Sequence, residues 1–249
     1  MLWAGSEASQ IYLSQTRAGV WLKSGTDQVH WLPATSAQDG WRQGIELLRH
    51  GGKPKRQRLT VWLSGALARP FVLESVQGLR KRSEAFQVAM GLASETTGLP
   101  GPCEIWLDHW VLDKPCIAVA IAQELREAIE SSAREEKLHL TAIRPWWGAA
   151  LNAAVKIQGA APGLLAVEEA DALTVLSGGA DVLSGAATYS PRPDPAQTSG
   201  LLTRALMASS MKPAISCRAT LIDAPLPTAD AESTARRADV FPVRLEEIA

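Results

Sequence analysis

The sequence is short of the residues that most often mark a site. In 249 residues it has three cysteines, four histidines, two tyrosines and three phenylalanines. Cys103, Cys116 and Cys217 are an odd number with no C-x-x-C spacing, which argues against a disulfide framework or a zinc site. All three lie in apolar, strand-like surroundings, where cysteine behaves as a small hydrophobe. His30, His50, His109 and His139 have no second histidine or cysteine at ligand spacing. The phosphate-loop, dinucleotide, zinc-protease and nucleophile-elbow signatures are all missing. So is any charge of one sign: the formal net charge is -1, too little to draw nucleic acid or an anionic membrane. The longest apolar run, Cys116–Ala122, is far below the roughly 20 residues that span a bilayer. Residues 1–10 hold Glu7 and no basic stretch followed by an apolar one, so the reading is of no signal peptide and a cytoplasmic location.

What is present is an ordinary globular composition, 46% hydrophobic and 20% charged, long enough to bury a substantial core. Tryptophan is the exception, with nine copies. Trp21, Trp31, Trp62 and Trp106 each lie in a short alternating segment and read as core. Trp146-Trp147 follows a proline where a strand gives way to a helix. Neighbouring helical residues point in different directions, so at least one of this pair, together with Trp110, is a candidate for an interaction surface.

Periodicity gives the order of elements. Residues 11–16, 19–23 and 28–33 read as strands, followed by a helix from an N-cap at Ser36 to His50 with Trp41, Ile45 and Leu48 on one stripe. Strands at 58–64 and 69–74 lead to a helix over 78–94 whose stripe is Leu79, Phe86, Ala89, Met90 and Ala93. Strands at 103–110 and 116–121, a helix carrying Leu125 and Ile129, a strand at 138–144 and an alanine-rich helix to about Lys156 come next. Composition shifts at 158–163, which marks a boundary. Beyond it lie strands at 164–168, 172–176 and 181–187, with Gly178-Gly179 as a turn, and a stiff proline connector over 190–197. A helix from Thr198 and a strand at 215–222 complete the pattern. The expected organisation is a first unit over 1–157, a smaller second unit over 163–223 and an irregular tail over 224–249. Hairpins feeding parallel units imply an α/β fold of mixed sheets with flanking helices, and the two halves echo each other.

Few residues bear chemistry. The strongest polar cluster is Asp108 and His109, beside Trp110 and followed by Asp113; alternation along a strand sends Asp108 and His109 to opposite faces, so polar decoration of a hairpin is the simpler reading. Ser64-Gly65 and Ser177-Gly178-Gly179 are candidate backbone anion nests. The basic residues Lys53, Lys55, Arg56 and Arg58 read as a solvated connector.

From Leu59 to Asn152 the chain runs through LTVWLSGALARPFVL, a helix of small residues, EIWLDHW, AVAIAQELREAI and LHLTAIRPWWGAALN. This succession resembles the first subdomain of a bacterial actin-like group that includes PilM-type pilus-assembly proteins and the cytoplasmic part of GspL-type secretion proteins. The resemblance implies an actin-like, ribonuclease H-like fold with a reduced second half opening on a hairpin, here residues 172–187. Actin-like ATPases place an Asp and glycines in the first hairpin to hold metal and phosphate. Here that hairpin reads IYLSQTRAGVWL, with Ser14, Gln15 and Thr16 where an acid is expected. The second phosphate loop would be SGGADVLSG, with glycines and Asp181.

The resemblance also implies a non-catalytic adaptor with no cofactor, or only a relic nucleotide site. It would bind a cytoplasmic segment of an inner-membrane pilus or secretion protein, or a second copy of itself. The alternative is a small-molecule or nucleotide-binding enzyme of the ribonuclease H-like superfold using Asp108, His109 or Asp113.

Overall fold

Two five-stranded sheets are built on one plan. The computed structural model describes residues 9–21, 29–50, 58–75, 78–108, 110–158, 163–178, 183–208, 218–223 and 239–241. The first sheet begins with an antiparallel meander of β1 (Ser9–Leu13), β2 (Arg17–Trp21) and β3 (Val29–Pro33). After helix α1 (Ala37–His50), the chain returns as β4 (Arg58–Leu63), parallel to β1, with Leu13 beside Leu63. The second sheet repeats this: a meander of β9 (Gly163–Glu168), β10 (Leu173–Gly178) and β11 (Leu183–Tyr189), helix α5 (Pro195–Ala208), then β12 (Arg218–Asp223) parallel to β9. The strand orders are β3-β2-β1-β4-β8 and β11-β10-β9-β12-β13. The fifth strands differ in sense: β8 (His139–Pro145) is parallel to β4, whereas β13 (Asp239–Phe241) is antiparallel to β12. β13 falls within the stretch expected to be an irregular tail.

Between β4 and α3 (Gln123–Glu135) the first half carries an insertion. It is an antiparallel sheet in the order β5-β7-β6, made of β5 (Ala68–Leu73), β6 (Cys103–Leu107) and β7 (Cys116–Ala122), and covered by α2 (Arg82–Thr97). The continuous apolar stretch of β7 fits a central strand covered on both faces. Helix α2 starts four residues later than periodicity suggests, because the Glu84 carboxylate accepts the N–H groups of Arg80 and Lys81. It ends on Gly98, whose φ of 64° suits the left-handed cap that glycine adopts without cost to a Cβ. Its buried stripe is Ala85, Ala89, Ala93 and Thr97, and Met90 lies outside it, exposed.

The central core packs Ile11, Leu13, Val20, Val61 and Leu63 against Trp41, Ile45, Leu48, Leu125 and Ile129, and extends into Leu165, Val167 and Leu176 of the second sheet. Burying a side chain of this size contributes roughly 1.5–3 kcal/mol, so the continuity of this cluster ties the halves together. Helix α1 is capped where Ser36 is expected: its hydroxyl accepts the Asp39 N–H at 3.1 Å. Helix α5 begins at Pro195 rather than Thr198, because Asp194 accepts the Gln197 N–H and proline suits the first helical position. Among the described residues no helix is long and apolar enough to cross a membrane.

Candidate functional site

The ends of β1 and β4 lie side by side, and the turns that come after them face the second half. The first turn is closed by Ser14, whose hydroxyl accepts the N–H groups of Thr16 and Arg17 and donates to the Arg17 carbonyl. This serine, at the position where an acid was expected, is therefore used up in holding its own turn. The Gln15 N–H points outward from it. At the end of β4, the Ser64 N–H donates to the Leu13 carbonyl, leaving the Ser64 hydroxyl and the Gly65 N–H facing the same way.

From the other half, the turn between β9 and β10 delivers two acids. It is closed by a 2.8 Å bond from the Glu169 N–H to the Ala172 carbonyl. Glu169 is 1% exposed and Asp171 5%. Asp171 Oδ2 accepts the Gln15 N–H at 2.7 Å and the Ser64 hydroxyl at 3.1 Å. Glu169 Oε2 accepts the Gly65 N–H at 2.6 Å, and its Oε1 accepts the Tyr12 hydroxyl at 2.9 Å. The donors of the first half are thus met by the carboxyl groups of the second. Gly65 is required by this approach: a Cβ there would overlap the Thr174 hydroxyl and stand 3.0 Å from Glu169 Oε2.

Burial, which disfavours the ionised form, pushes Glu169 up to about 8 and raises Asp171; the Gly65 N–H on Glu169 and the Gln15 N–H on Asp171 oppose this in part. The neighbouring charge of Asp171 adds to the rise of Glu169. Tyr12 is lifted well above the usual phenol range, first by burial and then by the charges of Glu169 and Asp171. Arg17 favours the ionised forms of both acids, and its guanidinium lies 4.1 Å above the ring of Trp31. Two buried polar atoms at the joint have no hydrogen-bond partner, Arg17 Nε and Asp171 Oδ1.

The tryptophans flank this joint from inside. Trp146 opens α4 (Trp146–Gln158) and stands edge-to-face with Trp62 at 5.7 Å and with Tyr12 at 6.4 Å. Trp147 donates its indole N–H to the Ala68 carbonyl at 2.8 Å. Both are buried, so the expectation of an interaction surface at Trp146 or Trp147 is corrected. The helix start is wedged between the first sheet and the inserted strand β5, which covers both directions that neighbouring residues can take. Trp110 is half-buried and packs on the core of the insertion. Asp108 and Asp113 are exposed at the β6–β7 connection, and His109 lies outside the described residues. No cluster forms there among the described residues: the Asp108 N–H serves the hairpin through the Ile117 carbonyl, and Asp113 takes φ 58° in its turn.

Of the two anion nests suggested by sequence, Ser64-Gly65 holds an acidic group, from the chain itself. Ser177 and Gly178 instead belong to β10, and Asp181 lies outside the described residues. The turn that meets the first half precedes them, because the second half opens at β9 and not at Ala172. Glu169 and Asp171 were missed for that reason. The signal available was EEADAL, an acid at the end of one apolar strand and two more in the tight turn before the next.

Set on this geometry, the comparisons with known proteins decide the architecture. The cytoplasmic domain of EpsL, an inner-membrane component of the type II secretion system of Vibrio cholerae, matches with a TM-score of 0.51 at 13% identity, over 91% of this chain and 87% of that one. A Bacteroides thetaiotaomicron protein of actin-like ATPase fold and unknown function matches with a TM-score of 0.54 at 11% identity, over 95% and 89%. The fold is actin-like. A third match is a PilM–PilN type IV pilus biogenesis complex, with a TM-score of 0.50 at 13% identity, over 82% of this chain and 68% of that one. No family model and no curated protein sequence matches the chain.

In an actin-like fold a nucleotide phosphate and its metal would sit between the two hairpin turns. The residues here do not fit that group. The Gln15 and Gly65 N–H groups and the Ser64 hydroxyl, the donors a phosphate would need, are engaged by Glu169 and Asp171. The carboxyl groups of Glu169 and Asp171 already fill the space a phosphate would take, and Gly65 stands in contact with the opposite wall at Thr174. The first turn offers no carboxylate for Mg²⁺, and among the described residues no three His, Cys, Asp or Glu side chains are grouped to hold a metal.

Proposed function

We propose that this chain is a non-hydrolysing actin-like adaptor at the cytoplasmic face of a pilus or type II secretion-like assembly machine, where it binds a segment of an inner-membrane partner. The observation that carries the non-catalytic part is the joint. Its donors are satisfied by the chain's own Glu169 and Asp171, and no acid stands in the first turn to place a metal. Kinship of fold with the EpsL cytoplasmic domain and with PilM–PilN supports the assembly role by analogy.

The adaptor surface lies away from the tryptophan pair. Of the five exposed large hydrophobic residues among those described, Met90, Leu92, Val111 and Leu112 belong to the insertion. The fifth, Trp31, is overlaid by Arg17. A partner segment with apolar anchors fits the insertion best.

Affinity purification of the tagged chain from its native cells, read by mass spectrometry, tests the role. Enrichment of inner-membrane pilus or secretion components, lost in Val111→Ser/Leu112→Ser, is the expected result. A soluble metabolic set of partners contradicts it, and release of phosphate from Mg-ATP by the purified chain contradicts the non-hydrolysing part. The enzyme alternative finds no support at Asp108 and Asp113, which are exposed on a hairpin.

A further inference from the structure

The joint carries an inference that goes beyond the assembly role and does not depend on it. We propose that the β9–β10 turn is a built-in ligand: Glu169 and Asp171 occupy an oxyanion cradle formed by the Gln15 N–H, the Ser64 hydroxyl and the Gly65 N–H, and so hold the two halves closed without a nucleotide.

Three features assemble that cradle. Its donors come from adjacent parallel strands whose ends are in register at Leu13 and Leu63, so the two turns project toward one point. It has no acid of its own, because residues 13–16 read LSQT and 63–66 read LSGA. Arg17 stands beside it, with a buried Nε that finds no partner, and acts electrostatically on both acids. Main-chain N–H groups and a hydroxyl around one point, with a cation acting on it through space, are the chemistry of an oxyanion site.

The occupant is then supplied in cis. The carboxyl oxygens of Glu169 and Asp171 take all three cradle donors, at 2.6–3.1 Å. Tethering makes this contact effectively intramolecular, so a free oxyanion competes at a large disadvantage. Gly65 completes the device, since any side chain there would strike Thr174 or Glu169 and part the halves.

Emptying the cradle tests the inference. With inorganic phosphate as the probe and chloride as the control at equal ionic strength, the melting temperature of the wild-type chain is expected not to respond. Glu169→Ala/Asp171→Ala is expected to melt lower and to regain at least about 2 °C, saturably, with phosphate. If the double variant does not fold, Asp171→Ala, which frees only the Gln15 and Ser64 donors, is expected to show a smaller saturable rise. A saturable phosphate response of the wild-type chain overturns the proposal. So does the absence of a response in whichever variant folds.

Discussion

The β1–β2 turn and the β9–β10 turn hold equivalent places in two halves built on one plan, and their chemistry is opposite. The first, Ser14-Gln15-Thr16, carries no charge and presents main-chain donors. The second, Glu169-Ala170-Asp171-Ala172, carries two acids and presents acceptors. A pair of matched donor turns would need a third, anionic body between them. A donor turn and an acceptor turn need none. A donor loop and an acceptor loop are thus each other's partner, which is how carboxyl groups with so little exposure are accommodated at the meeting point of the halves.

That contrast can be broken in graded ways. The largest loss is expected where the aromatic support of Tyr12 is removed: Trp146→Ala deletes a buried ring standing against both Tyr12 and Trp62 and should cost about 3–5 kcal/mol in denaturant unfolding. A surface role for Trp146 would predict almost no change. Next, Gly65→Ala forces a Cβ onto Thr174 and Glu169 and should cost about 1–3 kcal/mol, with a larger radius of gyration in solution scattering. Retention of both stability and compactness would show that the turns do not meet there.

The acid side of the contrast has its own signature in pH. Glu169 is pushed from its ordinary value near 4.5 up to about 8 by burial, so the folded chain holds this proton where the unfolded chain has lost it. The resulting stabilisation is complete below about pH 4.5 and is lost as pH rises through about 8. Wild type should therefore lose stability across that window relative to Glu169→Gln, and parallel pH profiles would exclude a buried titrating acid. The smallest effect is expected from Tyr12→Phe, which removes one hydrogen bond to Glu169, about 1 kcal/mol or somewhat more for a buried partner left unpaired.

The framework was readable because periodicity and capping act locally. Ser36 caps α1, the Leu125–Ile129 stripe faces the core, and β7 is apolar throughout because both its faces are covered. The resemblance between Leu59 and Asn152 also led to the right architecture. What sequence reasoning could not supply was the consequence of bringing distant segments together. Trp146 and Trp147 looked divergent because the insertion that covers the second of them joins from residue 68 onward. Glu169 and Asp171 looked like ordinary turn acids, since nothing within their own segment says that Gln15, Ser64 and Gly65 lie opposite, more than 100 residues away in the chain. The opening hairpin of the second half reads in sequence as residues 172–187, one strand after its true start at β9, so the acids of EADA fall outside the expected phosphate loop and the glycines after Ser177 fall inside it.

Calorimetric titration of the full chain with Mg-ATP bears most directly on the central claim, that this joint is filled from within. The account predicts no saturable binding at concentrations up to the millimolar range. Stoichiometric binding, accompanied by a rise in melting temperature, would mean that the acidic turn yields to a nucleotide, and would contradict it.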